Sequence, residues 1–412
     1  MATERTLLSP ITESVIPGTR RVFSEFGFNE AIKRAPIIVV TDLEGPQVLG
    51  DTAAEVMKGS IRYGDVIFNE VYDWYTARTQ SRRKNHKQVV YNNLGLAQGT
   101  NLLRAQEGTD ITFALPLLIS AGVTQSDINN VARGYKQTPG GKQFIQELKE
   151  KGAVLIAVTT AWQEPSQIIT NEIGIDYVVG TPFPIDETRD LLIRTGNFGK
   201  EMRPTEMFIS DCQEIIEAIE NSDEEDRVFL KQKLYERVGR YYEKELGISY
   251  DPSVLRQRKE RGTKCPTLTG QIIEEIGVVG DRAKAATASY ILKNSNPNAV
   301  IIVTGDGLND IVMLEKCGNS FKRRNAISVG LNGPEAALFG DINLLTTDVS
   351  VYIKIVDVLR QNGHSDLNET TGLIKGRLSN NGTVVYKRDE VTDAVVLENK
   401  KMKKALRGIV IP

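Results

Sequence analysis

The segment Ala299-Val300-Ile301-Ile302-Val303-Thr304-Gly305-Asp306-Gly307-Leu308-Asn309-Asp310 decides how this chain is read. An unbroken run rich in Val and Ile enters a glycine-flanked aspartate, and Ile311-Val312-Met313-Leu314 then continues with helical character. A run of this kind lacks the alternation of a half-exposed strand and fits one covered on both faces, as in a parallel sheet. Working outward, two more segments share the pattern. Pro36-Ile37-Ile38-Val39-Val40-Thr41 runs into Asp42, and Ala153-Val154-Leu155-Ile156-Ala157-Val158 runs into Thr159-Thr160. A fourth, Ala326-Ile327-Ser328-Val329-Gly330, follows a helix-like stretch. Amphipathic segments at 140–149 and 281–294 precede the second and third runs. Strands alternating with helices predict an α/β fold with a doubly wound, Rossmann-like parallel sheet. Ligands of such sheets bind beyond the carboxyl ends of the strands, where these runs end in polar or acidic residues.

The core is expected from residues 1–45, 138–180 and 276–361. Two largely helical insertions, 46–137 and the highly charged 181–275, leave the carboxyl side of core strands and are placed to act as caps. Residues 362–412 form a C-terminal extension with a basic stretch, Lys400 to Arg407, whose role the sequence does not disclose. There is no internal repeat.

Composition narrows the chemistry. The chain has 412 residues and a net charge of −2, so bulk charge points to neither nucleic acid nor membrane. Its three cysteines, Cys212, Cys265 and Cys317, are far apart and contain no C-x-x-C pair, which excludes a disulfide framework and a thiolate zinc site. MATERTLLSPITESVIP lacks a basic segment followed by an apolar one, and no apolar run reaches the ~18 residues that span a bilayer. The expectation is a soluble cytoplasmic protein. Only two histidines occur, His86 and His364, both in charged surroundings. A Ser-His-Asp triad or a histidine-rich metal site is therefore excluded, and catalysis must rest on carboxylates, lysine, hydroxyls and a hard metal ion.

The strand ends supply those groups. In Gly305–Asp310 the two aspartates stand four residues apart across a tight loop that turns into a helix, and the glycines allow close backbone approach to a ligand. Hard oxygen ligands of this type suit Mg²⁺, which favours one or two carboxylates, waters and a substrate phosphate. Thr41-Asp42-Leu43-Glu44-Gly45-Pro46 places Asp42 and Glu44 on alternate residues leaving a strand, so both can face one site. An aspartate can attack phosphorus and become an aspartyl-phosphate; a protonated second carboxylate can supply the leaving oxygen with a proton and later deprotonate water. Like charges at ~4 Å repel by about 4 kcal/mol at an effective dielectric of ~20. Gathering Asp42, Asp306 and Asp310 therefore calls for a cation. Thr159, with Thr160 as competitor, offers a hydroxyl to a phosphoryl oxygen, and Lys284 in Gly280-Asp281-Arg282-Ala283-Lys284-Ala285 can neutralise phosphate and orient Asp42. Asn309 joins Thr160 as a candidate substrate-binding residue.

The order of these elements resembles the haloacid dehalogenase (HAD) superfamily of phosphohydrolases. That pattern is a strand ending in D-x-D, one ending in Thr or Ser, a lysine, and a strand ending in G-D-x-x-x-D. The resemblance spans residues 36–345, and G-D-G-L-N-D-I-V-M-L is similar to the phosphoserine-phosphatase-like branch. It implies Asp42 as nucleophile, Glu44 as acid/base, Thr159 as the hydroxyl, Lys284 as the lysine, and Asp42, Glu44, Asp306 and Asp310 around Mg²⁺. T-D-x-E-G-P, F-A-L-P-L-L-I-S-A-G-V-T and N-E-I-G also resemble an archaeal family labelled energy-converting hydrogenase A subunit R. One position departs from the superfamily: Glu44 stands where its second motif aspartate belongs. The metal is held there through the backbone carbonyl, so the metal site survives the change. The acid/base role is less secure, since a ~1 Å displacement of a catalytic group can cost ~10²-fold.

The expected activity is Mg²⁺-dependent hydrolysis of a small-molecule phosphomonoester. The alternatives are a catalytically weak binding or regulatory subunit of a larger complex, with a protein partner or a homo-oligomer, and phosphoryl transfer to a second substrate. Arg82-Arg83-Lys84-Asn85-His86-Lys87 has too few interleaved aromatics for a nucleic-acid module. Tyr72, Trp74 and Tyr75 are expected to pack a core, Ser222–Asp226 to start a helix with its acids in the first turn, and Cys265 to be a buried thiol.

Overall fold

The computed structural model describes residues 27–81, 109–249, 252–320, 325–362, 367–379 and 383–406. The basic run 82–87 and both histidines lie outside them. The chain divides into two compact units. Of the described residues, one holds those within 53–128 and 183–276; the other holds 27–52, 129–182 and those from 277 onward.

The second unit contains the sheet. In chain order its strands are β1 (Ile37–Thr41), β2 (Val48–Leu49), β3 (Lys136–Gln137), β4 (Ala153–Trp162), β5 (Tyr177–Thr181), β6 (Val300–Gly305), β7 (Ala326–Leu331), β8 (Ile342–Leu345) and β9 (Val384–Lys387). Seven of them form one sheet in the order β5-β4-β1-β6-β7-β8-β9, while β2 and β3 make a small antiparallel pair. Six strands run parallel, and β9 pairs antiparallel with β8. Numbering the parallel strands by their succession gives 3-2-1-4-5-6, the doubly wound order whose direction of winding reverses beside the first strand. The expected fold class is the one observed. Ile37, Ile38, Val39 and Val40 of β1 are all 0% exposed, which explains the continuous apolar run.

Helices flank the sheet: α1 (Gly141–Glu150), α2 (Gln163–Ile173), α3 (Asp281–Asn294), α4 (Ile311–Ser320), α5 (Tyr352–Asn362), α6 (Leu367–Leu378) and α7 (Asp393–Leu406). The periodic segment 281–294 forms a helix over its whole length. One strand end differs from expectation. Strand β4 continues through Thr159 and Thr160 to Trp162, with an irregular register against β5 after Val158. Its β-branched and aromatic residues suit extended backbone, and the irregularity lets the strand turn at the sheet's edge. The segment beyond residue 362 supplies β9 and two helices to the sheet unit.

The other unit is helical. Two of its long members, Phe198–Glu220 and Glu224–Arg240, pack on one another. Asp223 caps the second, accepting from Asp226 N at 3.1 Å, as the acidic run implied. Trp74 stacks on Tyr242 with centroids 5.6 Å apart, and Tyr75 meets Phe113 edge-on at 5.4 Å. These aromatics build that unit's core, whereas Tyr72, expected with them, is 39% exposed because its position on the helix faces outward. Cys265 is buried and its thiol donates to Leu246 O at 3.1 Å. Among the described residues no single helix is long and apolar enough to cross a membrane.

Candidate active site

The winding reversal leaves β1 between β4 and β6; the acids follow β1 and β6, and the Thr159 and Thr160 hydroxyls lie in the last residues of β4. Thr41 is in register with Ala157 on one side and Thr304 on the other. Asp42 N donates to Thr304 O at 3.0 Å, so β1 and β6 are held together at the point where Asp42 and Asp306 leave the sheet. Asp42 is 5% exposed, Asp306 5% and Asp310 0%.

Gly45 has φ +104°, and a Cβ there would lie 2.4 Å from Asp306 Oδ2. A side chain at this position would meet both backbone strain and a collision, so glycine lets the 42–48 loop close on Asp306. Gly333 plays the matching part on the other side, where an added Cβ would stand 2.0 Å from Asp306 O.

Lys284 lies in the first turn of α3 on the face that also buries Ala288 and Ile291, and it is 0% exposed. Its Nζ is 2.7 Å from Asp42 Oδ2 and 2.8 Å from Asp310 Oδ1. Asp310 Oδ2 accepts from the backbone N–H groups of Asp306 and Gly307, each at 3.0 Å. Asp310 thus ties the loop after β6 to Lys284, and Lys284 ties Asp310 to Asp42. Asp42 Oδ1 accepts from Leu43 N at 2.8 Å.

One oxygen from each of Asp42, Asp306 and Asp310 lies within 4.8 Å of the other two. Burial pushes the Asp42 carboxyl up to about 8; Asp310 adds to the rise, Lys284 opposes it and Asp306 adds again. Burial pulls the Lys284 ammonium down, but Asp310 and Asp42 outweigh that and hold it above its ordinary value. Three acids thus crowd around the one buried ammonium of Lys284, and the raised Asp42 value reflects that crowding and the loss of water. An all-carboxylate donor set in a buried crevice fits a hard divalent cation.

The remaining candidates have partners of their own. Thr159 is 1% exposed, and its Oγ1 accepts from Ala161 N at 3.2 Å. Thr160 is half-buried, and its Oγ1 accepts from Asn309 Nδ2 at 2.6 Å, linking the ends of β4 and β6. Glu44 Oε1 accepts from Thr52 N at 2.8 Å. That bond answers one of the free N–H groups at the start of the helix Thr52–Ser60, a structural use for a carboxylate.

The sequence reading missed one participant. Lys403, in α7, sends Nζ to within 2.9 Å of Asp306 Oδ2 and 2.9 Å of Asp306 O. The available signal was helical spacing: Val395 and Asn399 are buried, and Lys403 continues their i, i+4 line. Without the position of β9 and α7, that line has no destination.

No family model matches the chain, and no curated protein matches it. Nothing found supports the resemblance to a hydrogenase subunit. A solved structure of gene product AF1437 from Archaeoglobus fulgidus superposes with a TM-score of 0.61 at 17% identity, covering 91% of this chain and 97% of that one. A phosphoserine phosphatase solved as a phospho-aspartyl intermediate analogue gives a TM-score of 0.40 at 12% identity, covering 78% of this chain and 100% of that one. A substrate-bound phosphoserine phosphatase complex gives 0.40 at 11%, covering 79% and 100%. The likeness to the Archaeoglobus protein shows a shared fold along nearly the whole of both chains.

Proposed function

We propose that this protein is a Mg²⁺-dependent phosphohydrolase of the HAD type that cleaves a small-molecule phosphomonoester, with Asp42 as nucleophile. The observation that supports this reading is the buried Lys284 joining Asp42 and Asp310, with Asp306 in the same cluster. An ordinary strand-to-helix turn needs one capping acid; three crowded acids at a winding reversal are costly unless they bind something.

In this reading Asp42 and Asp306, with the Glu44 carbonyl, hold Mg²⁺, and Asp310 adds its charge while bracing Lys284. When bound, Mg²⁺ polarises the phosphoryl oxygens and offsets the excess negative charge. Asp42 attacks phosphorus through a carboxylate oxygen, the P–O bond to the leaving alcohol breaks, and an aspartyl-phosphate forms. Lys284 keeps Asp42 oriented and balances charge on the incoming phosphate. Thr159 or Thr160 donates to a phosphoryl oxygen, and Asn309 sets the direction of the Thr160 hydroxyl. Glu44 protonates the leaving oxygen and then deprotonates the water that releases phosphate. To do so it must exchange its bond to Thr52 N for the substrate, so turnover depends on that rearrangement.

The test is hydrolysis of a generic aryl phosphate with Mg²⁺, in wild type, in Asp42→Asn and with excess chelator. Activity must vanish in the last two. Full activity in either one removes the reading.

A further inference from the structure

Lys403 is a second ammonium at the cluster, brought there by the C-terminal helix. Lys284 pairs with Asp42 and Asp310 and is wholly buried, whereas Lys403 pairs with Asp306 and its side chain is 23% exposed. The contact is specific in form. Nζ reaches both the carboxylate Oδ2 and the main-chain O of the same residue, each at 2.9 Å. Asp306 is itself fixed: glycines at 45 and 333 leave room for its carboxylate and carbonyl, and Asp310 accepts from its N–H. Buried Val395 and Asn399 seat α7 two turns and one turn before Lys403. The lysine is therefore delivered by a packed helix to the one acid of the three that Lys284 does not bind.

We infer that Lys403 is a built-in counter-cation, and that it and a divalent metal ion compete for Asp306 Oδ2. This rests on the metal reading of the cluster given above. Two positive groups at one carboxylate oxygen repel each other, and the partly exposed ammonium can move into water at little cost, unlike the buried Lys284. Metal binding then releases Lys403 and loosens the last turn of α7. Scarcity of metal lets the helix hold a second ammonium at the site, on Asp306. The C-terminal segment thereby makes the site's readiness depend on divalent-ion concentration.

The experiment uses the full chain and Mn²⁺ alone as probe, with free Mn²⁺ counted by electron paramagnetic resonance in wild type, K403M, K403R and D306N. Binding should tighten about tenfold in K403M, stay near wild type in K403R and weaken by more than about tenfold in D306N, whose amide oxygen is a poorer ligand than a carboxylate. Hydrogen exchange of residues 393–406 should rise on adding Mg²⁺ to wild type and remain unchanged by Mg²⁺ in K403M. Equal or weaker Mn²⁺ binding by K403M, with binding still weakened in D306N, overturns the competition and leaves the metal site standing. If neither wild type nor K403M binds Mn²⁺, the metal reading fails and this inference with it.

Discussion

Glu201 and Asp306 are both acids removed from water, 6% and 5% exposed, and they show two different uses of a buried charge. Glu201, in the helical unit, is answered by neutral donors. It accepts from Leu268 N at 2.8 Å, Thr269 N at 2.9 Å and Thr269 Oγ1 at 2.6 Å, closing the start of the helix Leu268–Glu275. Asp306, in the sheet unit, stands within a few ångströms of two further acids and leans on a lysine from a distant part of the chain. The first arrangement is electrostatically complete; the second is poised to accept a cation. Burial alone does not mark a functional acid, whereas like charges gathered in one place do.

The comparison can be broken most directly at Asp42. Asp42→Asn should lower aryl phosphate hydrolysis by about 10³-fold or more while leaving Mn²⁺ binding detectable, since an amide oxygen still ligates weakly. Steady-state rates alongside Mn²⁺ titration decide it, and near-normal turnover would place the chemistry elsewhere.

Lys284→Met comes next in size. It leaves Asp42 and Asp310 buried without their shared ammonium and should cost about 3–5 kcal/mol of stability in chelator. Mg²⁺ should return part of that loss, because it supplies charge to the same acids. Urea denaturation with and without Mg²⁺ measures both quantities. A variant as stable as wild type in chelator would mean that the acids do not depend on Lys284.

Glu201→Gln should cost about 1–3 kcal/mol, because an amide keeps one acceptor and sets its NH₂ against backbone donors. Mn²⁺ affinity and hydrolysis should not change. If both fell together with stability, the contrast between a structural and a functional acid would collapse.

The smallest effect is expected at Asp341, whose carboxylate accepts from Ser328 N at 2.8 Å and Ser328 Oγ at 2.9 Å. Burial raises its pKa, and the Ser328 N–H, Arg388 and the Ser328 hydroxyl only partly offset that. The folded state therefore holds this proton to a higher pH than the unfolded chain, whose value is near 3.8. The associated stability is present below the unfolded value and is lost as pH rises through the folded one. The difference in Tm between wild type and Asp341→Asn should shrink, or change sign, as pH rises from about 4. A constant difference would refute the raised value.

Much of the site was legible because its groups sit at the ends of the most apolar runs. Asp42 after Ile37–Thr41 and Asp306 after Val300–Gly305 are placed by strand pattern alone, and parallel pairing puts both on one edge. Glu44 was not legible in the same way. Alternation puts it on the same side as Asp42; that the chain turns at Gly45 and that the Glu44 carboxylate accepts from Thr52 N is set by the fold. Thr159 and Thr160 were expected to follow a strand and are part of it, so their hydroxyls are bound to Ala161 N and Asn309.

What the sequence determined by itself was the class of sheet, the residues at its carboxyl edge and the kind of chemistry a chain with two histidines has left. These follow from short-range rules: runs of β-branched residues, glycines beside acids, and composition. Only the tertiary structure decided that Lys284 bridges Asp42 and Asp310, and that Lys403 comes back from the far end of the chain to Asp306. A lysine on a helix is solvated or buried according to what the helix packs against, and that partner lies 26 residues away from Lys284 and 97 from Lys403. Charge pairing at such separations is set by the path of the backbone through space, which local pattern does not encode.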